Sequence, residues 1–93
     1  MRVEFLPEAE ADLDRLFHFL LERSSWAAQR AMSAIDDAIE QLKANPRLGT
    51  VLESSPEFRR VPVVFGRYGY VLQYRIQEDA VVVVRIWQGR EQR

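Results

Sequence analysis

Six arginines, Arg59, Arg60, Arg67, Arg75, Arg85 and Arg90, and three tyrosines, Tyr68, Tyr70 and Tyr74, crowd the second half of this sequence. Arginines alone can cleave RNA when they position a scissile phosphate and stabilise the charge that develops on it. A tyrosine hydroxyl could supply the proton. The same residue types also suit a binding surface, since the planar guanidinium pairs bidentately with carboxylate or phosphate, and twelve of the thirteen basic residues are arginine. Other chemistries find little support. No serine, histidine and acid set has a recognisable spacing, there is no Gly-rich phosphate loop, and GRYG (66–69) reads as a hairpin turn. The absence of cysteine excludes a disulfide framework and a thiolate metal site, and a single histidine cannot supply a zinc site alone. No metal or cofactor is expected. His18, between Phe17 and Phe19, reads as a surface or boundary residue, and the pairs Asp12/Asp14 and Asp36/Asp37 read as solvated helix surface.

These side chains need a scaffold. A chain of 93 residues makes a single domain, 1–93. Its 47% hydrophobic and 29% charged content lies far from the corner where disorder prevails, so a packed core is expected. The net charge of −1 conceals an asymmetry. Residues 1–45 carry five basic against nine acidic side chains, whereas residues 46–93 carry eight against five. An acidic partner would land on the second half. Met1 leads into a strand-like segment containing Glu4, unlike a signal peptide, and no apolar stretch approaches membrane-spanning length. A soluble, cytoplasmic protein is expected.

RVEF (2–5) alternates and reads as a first strand, ended by Pro7. Ala9, Leu13, Leu16, Phe17 and Leu20 then recur with helical period, predicting a helix over about 8–22 with Glu8, Glu10 and Asp12 near its positive end. Ser24 or Ser25 can cap a second helix over about 26–44, with Ala28, Ala31, Met32, Ile35, Ile39 and Leu42 on its apolar side. Asn45 and Pro46 stop it. The short connection predicts an antiparallel helical hairpin whose shared stripe needs a sheet to cover it. RLGTVLESSPE (47–57) reads as irregular. Period two follows in RRVPVVF (59–65), YVLQYRI (70–76) and the valine run from Val81, joined by GRYG and QEDA (77–80), which predicts an antiparallel meander. The fold class is α+β, in the order β-α-α-β-β-β.

Alternation assigns faces. Val61, Val63, Phe65, Tyr70, Leu72, Tyr74, Ile76, Val82, Val84 and Ile86 are expected to point toward the helices. Arg60, Pro62, Val71, Gln73, Arg75, Val81, Val83, Arg85 and Trp87 then share an opposite face that nothing else in the chain remains to cover. A surface of arginines, valines and a tryptophan fits a partner site, because tryptophan and arginine dominate interface hot spots. Arg93 is expected at its rim.

FLPEAEADLDRLFHFL (5–20), LKANPRLG (42–49), RRVPV (59–63), YVLQYRI and VVVVRIWQGR (81–90) occur in this order at these intervals, and the chain thereby resembles the RelE/ParE superfamily of type II toxin–antitoxin toxins, more closely its ParE branch. The resemblance spans nearly the whole chain and implies a RelE/ParE-like fold, an antiparallel helical hairpin on a small, mainly antiparallel sheet. It also implies a non-enzymatic toxin that inhibits DNA gyrase, is neutralised by a ParD-like antitoxin in a heteromeric complex, and neither enters membranes nor binds nucleic acid directly. The alternatives are a ribosome-dependent ribonuclease of the RelE kind, or a degenerate member that binds its antitoxin and poisons nothing. In the ribonuclease branch a tyrosine of the third strand typically precedes an active-site arginine; here Tyr70 precedes Val71, and no lysine occupies the segment before the second strand. The ParE branch commonly has histidine where Gln88 stands, ahead of Gly89 and Arg90; glutamine cannot titrate but can donate a hydrogen bond. No catalytic residue is expected, and the partner-binding candidates are Arg60, Arg75, Arg85, Trp87, Gln88 and Arg90.

Overall fold

Pro7 fixes where the first helix begins. Its missing N–H and preset φ suit the first helical position, and in the computed structural model, which describes residues 1–91, helix α1 runs over Pro7–Leu21 directly after strand β1, Arg2–Phe5. Helix α2, Ser25–Ala44, is capped by Ser24, whose hydroxyl accepts a hydrogen bond from the Ala27 N–H at 3.1 Å. Four strands follow: β2 (Thr50–Val51), β3 (Phe58–Val63), β4 (Tyr70–Gln77) and β5 (Ala80–Gln88). Arg93 lies outside the described residues.

The five strands form one sheet in the order β1-β5-β4-β3-β2. The meander β3-β4-β5 is antiparallel as expected, and β1 joins it parallel to β5, with Arg2 opposite Ala80 and Phe5 opposite Val83. Both helices cover one face of this sheet. Between them lies the core, in which Ala9, Leu16, Ile35 and Leu42 meet Val61, Leu72, Tyr74 and Ile86. The α+β architecture of a helical hairpin on a mainly antiparallel sheet is thus observed.

Two features depart from the sequence reading. The stretch 47–57 is not wholly irregular, because Thr50 and Val51 pair with Arg60 and Arg59 to make the short edge strand β2. Two residues carry too little alternation to announce themselves. What holds them is tertiary: the Tyr74 hydroxyl donates to the Pro46 carbonyl at 2.7 Å and accepts from the Gly49 N–H at 2.8 Å, while Arg59 donates to the carbonyls of Arg47 and Gly49.

The second departure overturns part of the face assignment. Val81 and Val83 lie in the helix-facing core, whereas Val82 and Val84 join Ala80 in a separate cluster with Leu6 and Phe58. The cause is a register shift on β5: Gln73 pairs with Arg85 but its neighbour Tyr74 pairs with Val83, leaving Val84 as an extra residue. A bulge of this kind interrupts strict alternation and bends the strand. Odd positions therefore face the helices before Val84, and even positions, such as Ile86, face them after it. Alternation carried unbroken through four identical valines cannot reveal the interruption.

Candidate functional site

The bulge re-aims Arg85. Its Nε and Nη2 donate to the two carboxylate oxygens of Asp12 on α1 at 2.8 and 3.1 Å. Asp12 Oδ2 also accepts the Ile86 backbone N–H at 2.9 Å, closing the edge of β5 beyond the end of β1. Arg15, one turn along α1, adds its charge at 3.8 Å. Asp12 is only 5% exposed, so its expected place on a solvated helix surface is corrected: the carboxylate is a buried anchor. Burial by itself raises the pKa of this carboxyl. The hydrogen bonds from Arg85 and Ile86, with the charges of Arg85 and Arg15, outweigh that and hold it below the ordinary range. The Asp12 hydrogen bond and charge correspondingly raise the Arg85 guanidinium.

On the sheet face away from the helices, Arg60 and Gln73 are paired neighbours, and Arg60 Nε donates to Gln73 Oε1 at 2.9 Å. The Arg60 guanidinium also sits 5.0 Å from the centre of the Trp87 ring. The indole is only 4% exposed. The expectation of a bare face with an open tryptophan is therefore corrected, since this chain's own side chains cover Trp87 and leave Val82 and Val84 nearly buried. What stays accessible is a shallow groove lined by Thr50, Arg60, Pro62, Val71 and Trp87. Arg75 lies farther along, its Nε donating to Gln77 Oε1 at 3.1 Å.

The six candidates are thus divided. Arg60, Arg75 and Trp87 share the outer face, and Arg85 joins them by strand position, but its guanidinium is turned to Asp12 on α1. Gln88 pairs with the buried Tyr70 and belongs to the helix side. Arg90 lies past the end of β5, its guanidinium 5.8 Å from the ring of Tyr68, which Arg67 approaches at 5.5 Å. Gly89 makes this meeting possible: a Cβ there would collide with the Tyr68 carbonyl oxygen, and the Gly89 N–H donates to the Gly69 carbonyl at 2.9 Å. The end of β5 is thereby pinned against the β3–β4 turn.

The three tyrosines differ in chemical availability. Tyr74 is fully buried with its hydroxyl engaged twice, and burial raises the pKa of Tyr70. Only Tyr68 is open to solvent. Sequence reasoning missed the Asp12 anchor and the meeting of Arg67, Tyr68 and Arg90 at the β3–β4 turn. The first has no local signature, being built from residues 73 positions apart; the second consists of residues that stand out by type, but nothing local to the turn places Arg90 beside it. Among the described residues no cluster of acidic, histidine or cysteine side chains could hold a metal, and no helix is long and apolar enough to cross a membrane.

Comparison with known proteins gives a consistent result. Toxin RelE3 of Caulobacter vibrioides is 44% identical over 91 residues, covering 98% of this chain and 97% of the relative. Toxin RelE1 of the same organism is 36% identical over 85 residues, covering 91% of this chain and 89% of the relative. A solved structure titled as the chromosomal ParDE TA system from P. aeruginosa shares the fold, with a TM-score of 0.72, 20% identity and 95% of each chain covered. The family described as ParE toxin of type II toxin-antitoxin system, parDE, matches residues 3–93. With a family match over nearly its whole length and two relatives named as toxins, the chain belongs to the ParE toxin family, within the RelE/ParE superfamily of type II toxin–antitoxin systems.

Proposed function

We propose that this protein is a ParE-like toxin that inhibits DNA gyrase in the cytoplasm by binding rather than by cleaving RNA, and that a ParD-like antitoxin holds it inactive in a heteromeric complex. The observation that carries the non-catalytic reading is the state of two of the three tyrosines: Tyr74 has its hydroxyl committed to the fold, and burial makes Tyr70 a poorer acid. The antitoxin's acidic, C-terminal segment lies along the outer face. There its carboxylates pair with Arg60, Arg75 and the exposed part of Arg85, and its apolar side chains enter the groove above Trp87.

A second reading, a RelE-like ribonuclease, draws on the relatives' names and on one observation. Tyr68 is exposed and has Arg67 and Arg90 within 6 Å of its ring centre, which are the groups such a reaction would use. Purified protein separates the two. Gyrase inhibition predicts loss of supercoiling in vitro and, on expression, growth arrest with filamentation and DNA-damage signalling. Intact supercoiling with cut ribosome-bound mRNA establishes the ribonuclease, and neither effect marks a degenerate member that only binds its antitoxin.

A further inference from the structure

The end of the molecule formed by the start of α2, the β3–β4 turn and the residues after β5 carries three exposed side chains of apolar or aromatic type: Trp26 at 67%, Val64 at 91% and Tyr68 at 47% exposure. Trp26, Arg30, Val64, Phe65 and Gly66 line one groove of about 940 Å³. The turn continues from that groove into Arg67 and Tyr68, and Tyr68 brings in Arg90. Each guanidinium lies by an aromatic ring, with Arg30 at 4.8 Å from Trp26, and among the described residues none of the three forms an ion pair. The platform is fixed from below. Phe65 stacks on buried Tyr70 with ring centres 5.7 Å apart, Gly69 takes the positive φ of 64° that the turn requires, and Gly89 locks against it.

We propose that this end is the surface that grips the toxin's target, and that it takes an acidic stretch of a protein carrying aliphatic side chains. The proposal deepens the reading of the chain as a toxin that acts by binding, and rests on it. Tryptophan, tyrosine and arginine are the residue types that supply most interface energy, and a rigid presentation lowers the ordering entropy lost on association. Three unpaired guanidiniums select carboxylates. A nucleic acid fits less well, because Val64 offers nothing to a phosphate backbone and packs instead against an aliphatic side chain. The outer-face groove at Arg60 reaches Gly89 and Glu91 on either side of Arg90, whereas Trp26 and Val64 line a different groove, so antitoxin affinity is measured for every variant.

The test compares the wild-type chain with Trp26→Ala, with the double reversal Arg67→Glu and Arg90→Glu, and with the corresponding double change to lysine. Survival after induction, thermal melting and affinity for the cognate antitoxin are measured for each. The expected result is about thirtyfold or more loss of killing for the alanine and glutamate variants, a smaller loss for the lysine pair, and unchanged melting and antitoxin affinity. Killing equal to wild type, antitoxin affinity falling in parallel, or a wild-type chain that arrests nothing each overturns the proposal. So does tight binding of a labelled oligothymidine strand at physiological salt that the glutamate pair abolishes, which makes the surface one for nucleic acid. If the variants lose killing while the wild-type protein spares purified gyrase and leaves ribosome-bound mRNA uncut, the gyrase reading falls and the target surface stands; mRNA cut by the wild-type chain and spared by the glutamate pair overturns the proposal.

Discussion

Asp12 and Arg85, 73 positions apart, join the first helix to the last strand through two hydrogen bonds of 2.8 and 3.1 Å, and the same carboxylate holds the Ile86 N–H. A buried carboxylate with three donors is stable only while all three remain. Replacing Asp12 with asparagine keeps one acceptor and loses the charge; it is expected to destabilise the fold by ~1–3 kcal/mol at neutral pH. Folding lowers the Asp12 pKa, so its contribution is complete above the unfolded value of about 4 and is lost as pH falls through the folded value. Denaturation of both proteins across acidic pH should show their difference shrinking below about pH 4. A difference that persists well below that pH would assign the cost to packing alone.

Trp87→Ala is expected to act on stability before it acts on binding. Removing a nearly buried indole typically costs about 3–5 kcal/mol, and Trp87 is only 4% exposed. Chemical denaturation decides: a loss under about 1 kcal/mol would be that of a surface residue and would restore the picture of an open tryptophan.

Arg60→Ala should show the reverse balance. Its guanidinium contacts Gln73 and the Trp87 ring from the exposed side, so melting should change little while antitoxin affinity falls by about thirtyfold. The competing location is the helical hairpin, where Phe19 and Leu21 are exposed. Calorimetric titration with antitoxin that is insensitive to Arg60→Ala but abolished by polar changes at Phe19 and Leu21 would move the antitoxin there.

Tyr74→Phe removes one oxygen and strands two partners, the Pro46 carbonyl and the buried Gly49 N–H. A cost of ~1–3 kcal/mol follows for the unsatisfied groups. Hydrogen exchange should quicken at Gly49 and along β2 without spreading to β4. Uniform quickening would mean that the hydroxyl stabilises the whole fold rather than the edge.

Helix limits to within a residue, a cap at Ser24 or Ser25 and the meander could be read from the chain because each depends on local spacing: the period of 3.6 through Leu16 and Ile35, the period of two through Val61 and Leu72, and turn residues between them. Residues whose roles depend on distant partners were illegible. Asp12 has the same spacing as any exposed helix acid until β5 arrives beside it. Arg90 and Tyr68 both stand out by type, but that they meet depends on Gly89, which brings the end of β5 to the β3–β4 turn. The parallel pairing of β1 with β5 likewise joins the two ends of the sequence and leaves no trace in either.

The bulge at Val84 has a further consequence for how β5 finds its place. Four identical side chains in a row carry no positional information, since sliding the run by one residue exchanges valine for valine. The address must therefore be written at the far end of the strand, where Asp12 receives Ile86 and Gly69 receives Gly89. Between these two fixed points and the turn before Ala80, the strand is one residue longer than β4 needs, and Val84 absorbs the excess. The run behaves as slack between two knots, so mutations that loosen a knot should yield a population of mispaired sheets, whereas valine-to-isoleucine changes within the run leave the address unchanged.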